Sequence, residues 1–238
     1  MILAIDAGNT RIKWGLRDRA RKEWLATGSA SVSELERLHE AWQDVPAPQQ
    51  IAIANVAGPA VRGTLAELVE RWSVEPKWLQ SEAESCGIKN DYLQPQRLGV
   101  DRWAAMIAAW AAYRQAALVV MAGTATTIDV LDERGHFRGG VILPGMGVMK
   151  RSLVENTAAL AMAPGNYKPL PRTTEDAIES GCVNAQLGAI ERMHRELPSN
   201  APCILSGGGA PALLRHLNIP VQHVEHLVLE GVVRLAEQ

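Results

Sequence analysis

The sequence contains one local pattern twice, first at the amino terminus and again near the middle of the chain. Residues 2–5 are apolar and lead into Asp6-Ala7-Gly8-Asn9-Thr10, and residues 12–15 follow this turn. Residues 118–122 lead in the same way into Gly123-Thr124-Ala125-Thr126-Thr127, followed by residues 128–131. Each pattern predicts a strand, a tight turn and an antiparallel strand. Because backbone N–H groups and hydroxyls at such turns bind phosphate, the repetition indicates two related lobes that face a nucleotide.

Asp6 distinguishes the first turn from an ordinary β-hairpin, which is the alternative interpretation of this stretch. It stands at the end of an apolar strand, next to Gly8 and two small polar residues. A carboxylate in this position is suited to hold a hydrated Mg²⁺ against the phosphates of ATP. The sequence therefore predicts ATP and Mg²⁺ as ligands.

Composition narrows the class of protein. A chain of 238 residues, 47% hydrophobic and 21% charged, is long and apolar enough for two packed lobes. The net charge of -2 predicts no nucleic-acid surface, and no segment has the pattern of a membrane helix. Three widely spaced cysteines favour a reducing compartment. Asp6 interrupts the first apolar run, so no secretory signal is predicted and we expect a cytoplasmic protein.

The segment Gly99-Val100-Asp101-Arg102 precedes a predicted helix that is rich in Ala, Trp and Met and extends to about Tyr113. An acid at a helix start interacts favourably with the helix dipole. Asp101 is therefore either a helix cap or a functional carboxylate, and Arg102 is either a surface charge or a ligand-binding group.

The second half of the chain has further helix and turn signals. A helix is predicted from about Val148 to Ala161, followed by a surface loop over residues 163–173 that has three prolines. Another helix is predicted from Thr174 onward, with an interruption at Gly181. Residues 203–205 predict a strand that ends in three glycines, which permit close approach of a ligand or form a loose turn.

Taken in order, these motifs resemble the type III pantothenate kinases, in the acetate and sugar kinase, Hsp70 and actin superfamily. The resemblance covers nearly the whole chain. Its phosphate-loop motifs, typical of the superfamily, are Asp6-x-Gly8-Asn9-Thr10 and Gly123-Thr124-Ala125-x-Thr127, and a glycine motif, Ser206-Gly207-Gly208-Gly209, follows. The resemblance also includes Gly139-Gly140-x-Ile142-x-Pro144-Gly145, and the motifs that identify this kinase family are Gly87-Ile88-Lys89-Asn90-x-Tyr92 and Leu98-Gly99-x-Asp101-Arg102.

The resemblance implies an α/β fold of two ribonuclease H-like lobes, each with a mixed five-stranded sheet flanked by helices, and ATP in the cleft between the lobes. Residues 1–115 would form the lobe with the first phosphate loop and the substrate-binding segment. Residues 116–238 would form the lobe with the second phosphate loop and a glycine turn on the adenosine side. A homodimer is also implied, with the helix from Trp103 and the Thr174 region meeting the partner.

The implied reaction is the ATP-dependent phosphorylation of pantothenate to 4'-phosphopantothenate, the first step of coenzyme A biosynthesis. Asp101 would be the general base, and Asp6 would place Mg²⁺. The ATP phosphates would be bound by Asp6, Ala7, Gly8, Asn9, Thr10, Arg11, Ile12, Lys13 and Thr124. Pantothenate would be bound by Tyr92, Gly99, Val100, Asp101, Arg102 and, across the dimer interface, Thr174. Helix capping is an alternative explanation of Thr174.

Met121 departs from the family pattern. Many members have an acid three residues before the first Thr of the second phosphate loop, where it forms part of a site for K⁺ or NH₄⁺. A thioether is a poor ligand for a hard monovalent cation, which prefers oxygen. Met121 therefore leaves the requirement for a monovalent cation open.

Two alternative functions follow from the same motifs. One is a sugar kinase, an acetate kinase or a bare ATPase of the same superfamily, although a bare ATPase does not need Tyr92, Asp101 and Arg102. The other is a non-catalytic regulatory protein that binds nucleotide with this fold. The presence of Asp6, Asp101 and Thr124 favours an enzyme.

Overall fold

A computed structural model describes residues 1–157, 160 and 163–238, which form two compact units. One unit contains Met1–Tyr113 and His226–Gln238, and the other contains Arg114–Glu225. The carboxyl-terminal residues thus belong to the first unit, whereas the sequence-based division placed them in the second lobe. Within the described residues, no helix is long and apolar enough to cross a membrane.

The first unit is built on a mixed five-stranded sheet with the order β3-β2-β1-β4-β5. The strands β1 to β3 are antiparallel neighbours, and β4 and β5 continue the sheet parallel to β1. Their bounds are Ile2–Ala7 (β1), Arg11–Asp18 (β2), Glu23–Ser31 (β3), Gln50–Asn55 (β4) and Pro76–Trp78 (β5). A short hairpin follows, with Glu84–Ser85 as β6 and Ile88–Asn90 as β7.

Side chains alternate between the two faces of this sheet. Leu3, Ile5 and Ala7 pack in a core with the helices α1 (Arg37–Ala41) and α2 (Pro59–Val69). Asp6 therefore projects from the opposite face of β1. That face is the side of α7 (Leu227–Ala236), which contacts β1, β2 and β4.

The helix α3 (Val100–Tyr113) packs closely against α7. A Cβ atom at Gly231 of α7 would lie 1.8 Å from the carbonyl oxygen of Ala104, so only glycine permits this crossing. Trp103 is 0% exposed and Trp110 is 8% exposed. These two tryptophans are therefore buried within their own chain, whereas the end of α3 at Ala112 is exposed, and a contact of this helix with a partner chain stays a prediction.

The five strands of the second unit have the order β10-β9-β8-β11-β12, which matches the order β3-β2-β1-β4-β5 of the first unit. Their bounds are Ala117–Ala122 (β8), Ala125–Leu131 (β9), His136–Pro144 (β10), Cys203–Ser206 (β11) and Val221–His223 (β12). One face of the sheet packs against α5 (Thr174–His194) and α6 (Ala210–Leu214). The repeated strand order confirms the predicted pair of ribonuclease H-like units.

Two predicted features of the second unit differ from the structure. The helix α4 spans Met146–Glu155, and its predicted end at Ala161 lies outside the described residues. The helix α5 continues through Gly181 without interruption, because buried residues on both sides of this glycine keep one helix face in the core.

Candidate active site

The first turn joins β1 to β2 and is held by a hydrogen bond from Gly8 N–H to the carbonyl oxygen of Arg11, at 3.1 Å. Asn9, Thr10 and Arg11 are exposed at its tip. The neighbouring side chains of Ala7 and Ile12 are buried in the core. Ala7 and Ile12 were both predicted to bind ATP phosphate, and they could therefore do so only through their backbone groups.

Asp6 is directly opposite Lys13 in the register of β1 and β2, and its side chain is 8% exposed. Burial, and after it the negative charge of Asp101, raise the pKa of Asp6 to about 7, while the positive charge of Lys13 acts in the opposite direction. These electrostatic interactions require that the three side chains lie near one another. The structure therefore brings together the carboxyl group of Asp6 on β1, the amino group of Lys13 on β2 and the carboxyl group of Asp101 at the start of α3.

The carboxylate of Asp101 folds back over the start of α3. Its Oδ1 accepts a hydrogen bond from the backbone N–H of Arg102 at 2.9 Å. A Cβ atom at Gly99 would lie 2.5 Å from this oxygen, which explains the Gly-x-Asp spacing. Burial raises the pKa of Asp101, and the hydrogen bond and charge of Arg102 lower it. Asp101, the second residue of α3, thus satisfies an N–H of the first helical turn, and its charge acts on Asp6.

Asn90 organises the segment before α3. Its side-chain Nδ2 donates to the carbonyl oxygens of Glu82 and Pro95, and its Oδ1 accepts from the backbone N–H of Tyr92 at 3.1 Å. This arrangement places the Tyr92 ring 5.8 Å from the guanidinium carbon of Arg102. The motif Asn-x-Tyr therefore serves to position an aromatic ring beside a buried guanidinium, since Arg102 is 5% exposed.

The second turn, between β8 and β9, is held by two glycines from other parts of the second unit. Gly145 donates its N–H to the carbonyl oxygen of Thr124 at 2.9 Å, and a Cβ there would lie 2.1 Å from the carbonyl oxygen of Gly123. Gly207 has a φ of +98°, and its Cβ would lie 2.3 Å from the carbonyl oxygen of Ala122. These contacts give the glycines a packing role, while Gly123 and Thr124 remain exposed.

Thr174 is the first residue of α5 and is exposed. The cap of this helix is Thr173, whose hydroxyl oxygen accepts from the N–H of Asp176 at 3.2 Å. The alternative explanation of Thr174 as the helix cap is therefore wrong, and its hydroxyl remains a candidate for ligand binding.

The sequence model of one protein family, described as type III pantothenate kinase, matches residues 2–196. A type III pantothenate kinase from Aromatoleum aromaticum is 47% identical over 241 residues, which cover 100% of this chain and 98% of that protein. One from Nitrosospira multiformis is 43% identical and covers 100% of this chain and 92% of that protein. The chain belongs to the type III pantothenate kinase family.

A solved structure supports the fold assignment of this pantothenate kinase family member. The activator of the 2-hydroxyisocaproyl-CoA dehydratase from Clostridium difficile, solved with bound ADPNP, aligns with a TM-score of 0.59 at 10% identity. The alignment covers 99% of this chain and 92% of that chain. At this identity the likeness shows the fold alone.

The donors around Asp6 suit a divalent metal that retains most of its ligands from water and phosphate. Within residues 1–157, 160 and 163–238, no three His, Cys, Asp or Glu side chains form a metal-binding group. Mg²⁺ commonly binds through only one or two protein carboxylates plus substrate phosphates. A buried carboxylate whose pKa is raised by burial and by a second acid fits that requirement, because a bound cation relieves both effects.

Two supporting interactions in this family member were missing from the sequence-based account. Gly207 was expected to permit close approach of a ligand or to form a loose turn, and Pro144-Gly145 to break the strand, whereas both Gly145 and Gly207 pack against the second turn. The packing of α7 against α3 was missed altogether, although residues 227–236 contain a dense apolar pattern. Val100 was predicted to line the substrate pocket, but its side chain is 6% exposed and packs inside the unit.

Proposed function

We propose that this chain transfers the γ-phosphoryl group of ATP to the primary hydroxyl of pantothenate, the first step of coenzyme A biosynthesis, with Asp101 as the general base. The observation that supports this role most directly is the electrostatic coupling of Asp101 to Asp6, since it places the candidate base near the candidate metal ligand. Membership of the type III pantothenate kinase family supplies the reaction and the substrate.

The proposed step begins with the substrate hydroxyl hydrogen-bonded to the Asp101 carboxylate. As the hydroxyl oxygen bonds to the γ-phosphorus, the bond from that phosphorus to the bridging oxygen of ADP breaks, and Asp101 accepts the hydroxyl proton. A pKa raised by burial makes Asp101 a stronger base for this proton. The N–H of Arg102 holds one carboxylate oxygen, which fixes the orientation of the group.

Several residues would compensate the negative charges of the ATP phosphates and of the pantothenate carboxylate. Asp6 would hold Mg²⁺, which when bound supplies charge neutralisation at the ATP phosphates. Lys13 and the exposed backbone of residues 8–11 would bind phosphate at the first turn, and Thr124 would do so at the second. Arg102 would pair with the pantothenate carboxylate or stabilise phosphate charge, with Tyr92 and the backbone of Gly99 and Val100 beside it.

We further propose that the enzyme is a cytoplasmic homodimer in which Thr174 contacts pantothenate bound to the partner subunit. The position of Thr174 supports this role, because its hydroxyl is exposed and the helix is capped by Thr173 instead. Three free cysteines support a reducing compartment. A variant Thr174→Ala should raise the KM for pantothenate while leaving the KM for ATP unchanged, and equal changes in both would contradict the assignment.

The activity is tested by coupling ADP release to a spectroscopic assay with ATP, Mg²⁺ and pantothenate. ADP release should require pantothenate, and the product should be 4'-phosphopantothenate by mass spectrometry. Glucose, acetate and water should not replace pantothenate. Release of ADP without pantothenate would favour an ATPase, and nucleotide binding without any turnover would favour the regulatory protein.

The variant Asp101→Asn tests the proposed base. It removes the proton acceptor while retaining the shape of the side chain, so kcat should fall by about a hundredfold to ten-thousandfold. Binding of ATP, measured by calorimetry, should change little. Turnover close to that of the unmodified enzyme would show that Asp101 is not the base.

A further inference from the structure

Gln186 is a completely buried polar residue in the middle of α5. Its side chain is 0% exposed, and its neighbours on the helix face, Val183, Leu187 and Ile190, belong to the apolar core of the second unit. Its Nε2 donates a hydrogen bond to the carbonyl oxygen of Pro144 at 2.7 Å and lies 3.7 Å from the sulfur of Met149. An amide at this position therefore connects α5 to the end of β10.

The other half of the amide is not satisfied. Gln186 Oε1 is buried and accepts no hydrogen bond from any residue that the structure describes. A buried carbonyl oxygen without a donor costs desolvation free energy, which an apolar side chain of similar size would avoid. The stability of the unit therefore does not explain why an amide occupies this position, whereas a need to hold the Pro144 carbonyl does.

The residue after Pro144 contacts the second phosphate loop directly. Gly145 donates its N–H to the carbonyl oxygen of Thr124, and it lies so close to the turn that even one Cβ atom would overlap the carbonyl oxygen of Gly123. Because the peptide group of Pro144 and Gly145 is planar and rigid, a hydrogen bond at one end restrains the N–H at the other. Gln186 thus restrains Thr124 through a single peptide group.

We propose that Gln186 is a positioning residue for the second phosphate loop, which it holds in the geometry that binds ATP phosphate. The proposal rests on the assignment of Thr124 to ATP binding under the proposed function. The chain offers a matched comparison on the same helix. His194 is 5% exposed, and its Nε2 donates to the carbonyl oxygen of Ala201 at the same distance of 2.7 Å, with no connection to the phosphate loop.

The test compares Gln186→Met with His194→Leu in the full-length protein. Methionine nearly preserves the volume of Gln186 and removes both the donor and the unsatisfied oxygen. We expect the dissociation constant and the KM of ATP to rise about tenfold in Gln186→Met, as for the loss of one restraining hydrogen bond. The KM of pantothenate and the melting temperature should change little. His194→Leu should lower the melting temperature and leave ATP binding unchanged.

Hydrogen exchange provides a readout that does not depend on catalysis. The amide of Gly145 should exchange faster in Gln186→Met, while amides in the centre of β8 retain their protection. Unchanged ATP affinity together with unchanged exchange at Gly145 would overturn the proposal. Equal loss of ATP affinity in His194→Leu would also overturn it, because the effect would then be general destabilisation of α5.

A shorter amide keeps the proposal testable if Gln186→Met does not fold. Gln186→Asn retains the polar group but withdraws it from the Pro144 carbonyl by one methylene, and it should weaken ATP binding in the same direction. The positioning role of Gln186 can be refuted independently of the kinase assignment. A wild-type protein that binds ATP without phosphorylating pantothenate would refute the kinase assignment, whereas the response of ATP binding and of Gly145 exchange would still decide the role of Gln186.

Discussion

The two phosphate turns occupy the same place in the two units but differ in their chemistry. Asp6 is the penultimate residue of β1, and Met121 is the penultimate residue of β8. Across the hairpin, Asp6 is opposite Lys13, whereas Met121 is opposite Thr127. One turn is thus flanked by a buried carboxyl group opposite a half-buried lysine, and the equivalent strand positions at the other hold a thioether and a hydroxyl.

The backbones of the two turns are also held in different ways. A Cβ atom at Gly8 would lie 3.2 Å from its nearest neighbour, a tight contact within the turn itself. The second turn is instead packed against Gly145 and Gly207, where a Cβ would overlap backbone oxygens at 2.1 and 2.3 Å. Under the proposed function, this difference would divide the tasks, with charge and metal binding at the first turn and a closely packed set of backbone groups at the second.

The strongest test of this division is the pair Asp6→Asn and Met121→Asn. Loss of the Asp6 charge removes the proposed metal ligand, so kcat/KM for ATP should fall by at least about a hundredfold. The same substitution at the equivalent position of the second unit should change kcat/KM by no more than about threefold, as expected for a half-buried polar replacement. Steady-state assays at several Mg²⁺ concentrations measure both effects. Similar losses in the two variants would contradict the division of tasks.

The second test addresses the rigid backbone of the second turn. Gly145→Ala places a methyl group against the carbonyl oxygen of Gly123, so the turn must shift. A displacement of this kind should raise the KM for ATP by about tenfold to a hundredfold. Gly8→Ala should have a smaller effect, because the neighbouring oxygen at 3.2 Å needs to move only slightly. A larger effect in Gly8→Ala than in Gly145→Ala would reverse the comparison.

The local elements of both units follow from the sequence because their signals are local. The apolar runs and the Gly/Thr turns predicted β1, β2, β8 and β9, and the strand order confirms that they belong to two related units. The strand β3 was missed because its side chains are mostly exposed or half-buried, so it has no continuous apolar pattern. The residues of α7 were included in the second lobe, as part of residues 116–238, because an apolar segment does not specify which sheet it will cover.

For the candidate site too, single residues could be predicted from their motifs, but the interactions between them could not. Asp6 and Asp101 were predicted from their motifs, since a carboxylate next to a glycine turn is recognisable without a structure. Their mutual electrostatic effect was not predictable, because it depends on α3 and β1 meeting in three dimensions. The role of Gln186 was likewise invisible, since a glutamine within a helix is normally read as a surface residue.

The third test uses the effect of pH on stability. The pKa of Asp6 is raised in the folded state from 3.8 to about 7, so the folded protein retains this proton between those two values while the unfolded chain releases it. The contribution of the Asp6 carboxyl group to the free energy of unfolding is therefore greatest below pH 4 and is lost as the pH rises to 7. Asp6→Asn should raise the melting temperature at pH 8, and the gain should shrink towards pH 4.

A calorimetric series from pH 4 to pH 8 measures this effect in the absence of nucleotide and metal. Met121→Asn provides the control, because its effect on the melting temperature should not depend on pH. A constant difference between Asp6→Asn and the unmodified protein at every pH would show that Asp6 is not titrating in this range. The electrostatic account of the first turn would then be wrong.

The smallest expected effect concerns monovalent cations. Because the thioether of Met121 offers no oxygen ligand, replacing Na⁺ with K⁺ or NH₄⁺ should change the rate by less than about twofold. Met121→Asp adds a carboxylate at the strand position equivalent to Asp6. It should introduce a several-fold preference for K⁺ or NH₄⁺ over Na⁺ in the ADP-release assay.

The two cation measurements show whether a bound monovalent cation or the backbone groups alone compensate the phosphate charge at the second turn. If turnover of the unmodified enzyme needs K⁺, other oxygen atoms in the second unit must bind the cation, and the turn is not the purely backbone-based site described above. If Met121→Asp gains the preference and the unmodified enzyme lacks it, the difference between the turns depends on one side chain. The second unit would then lack, at this strand position, the charge that the first unit has as Asp6, although the strand order is the same in both units.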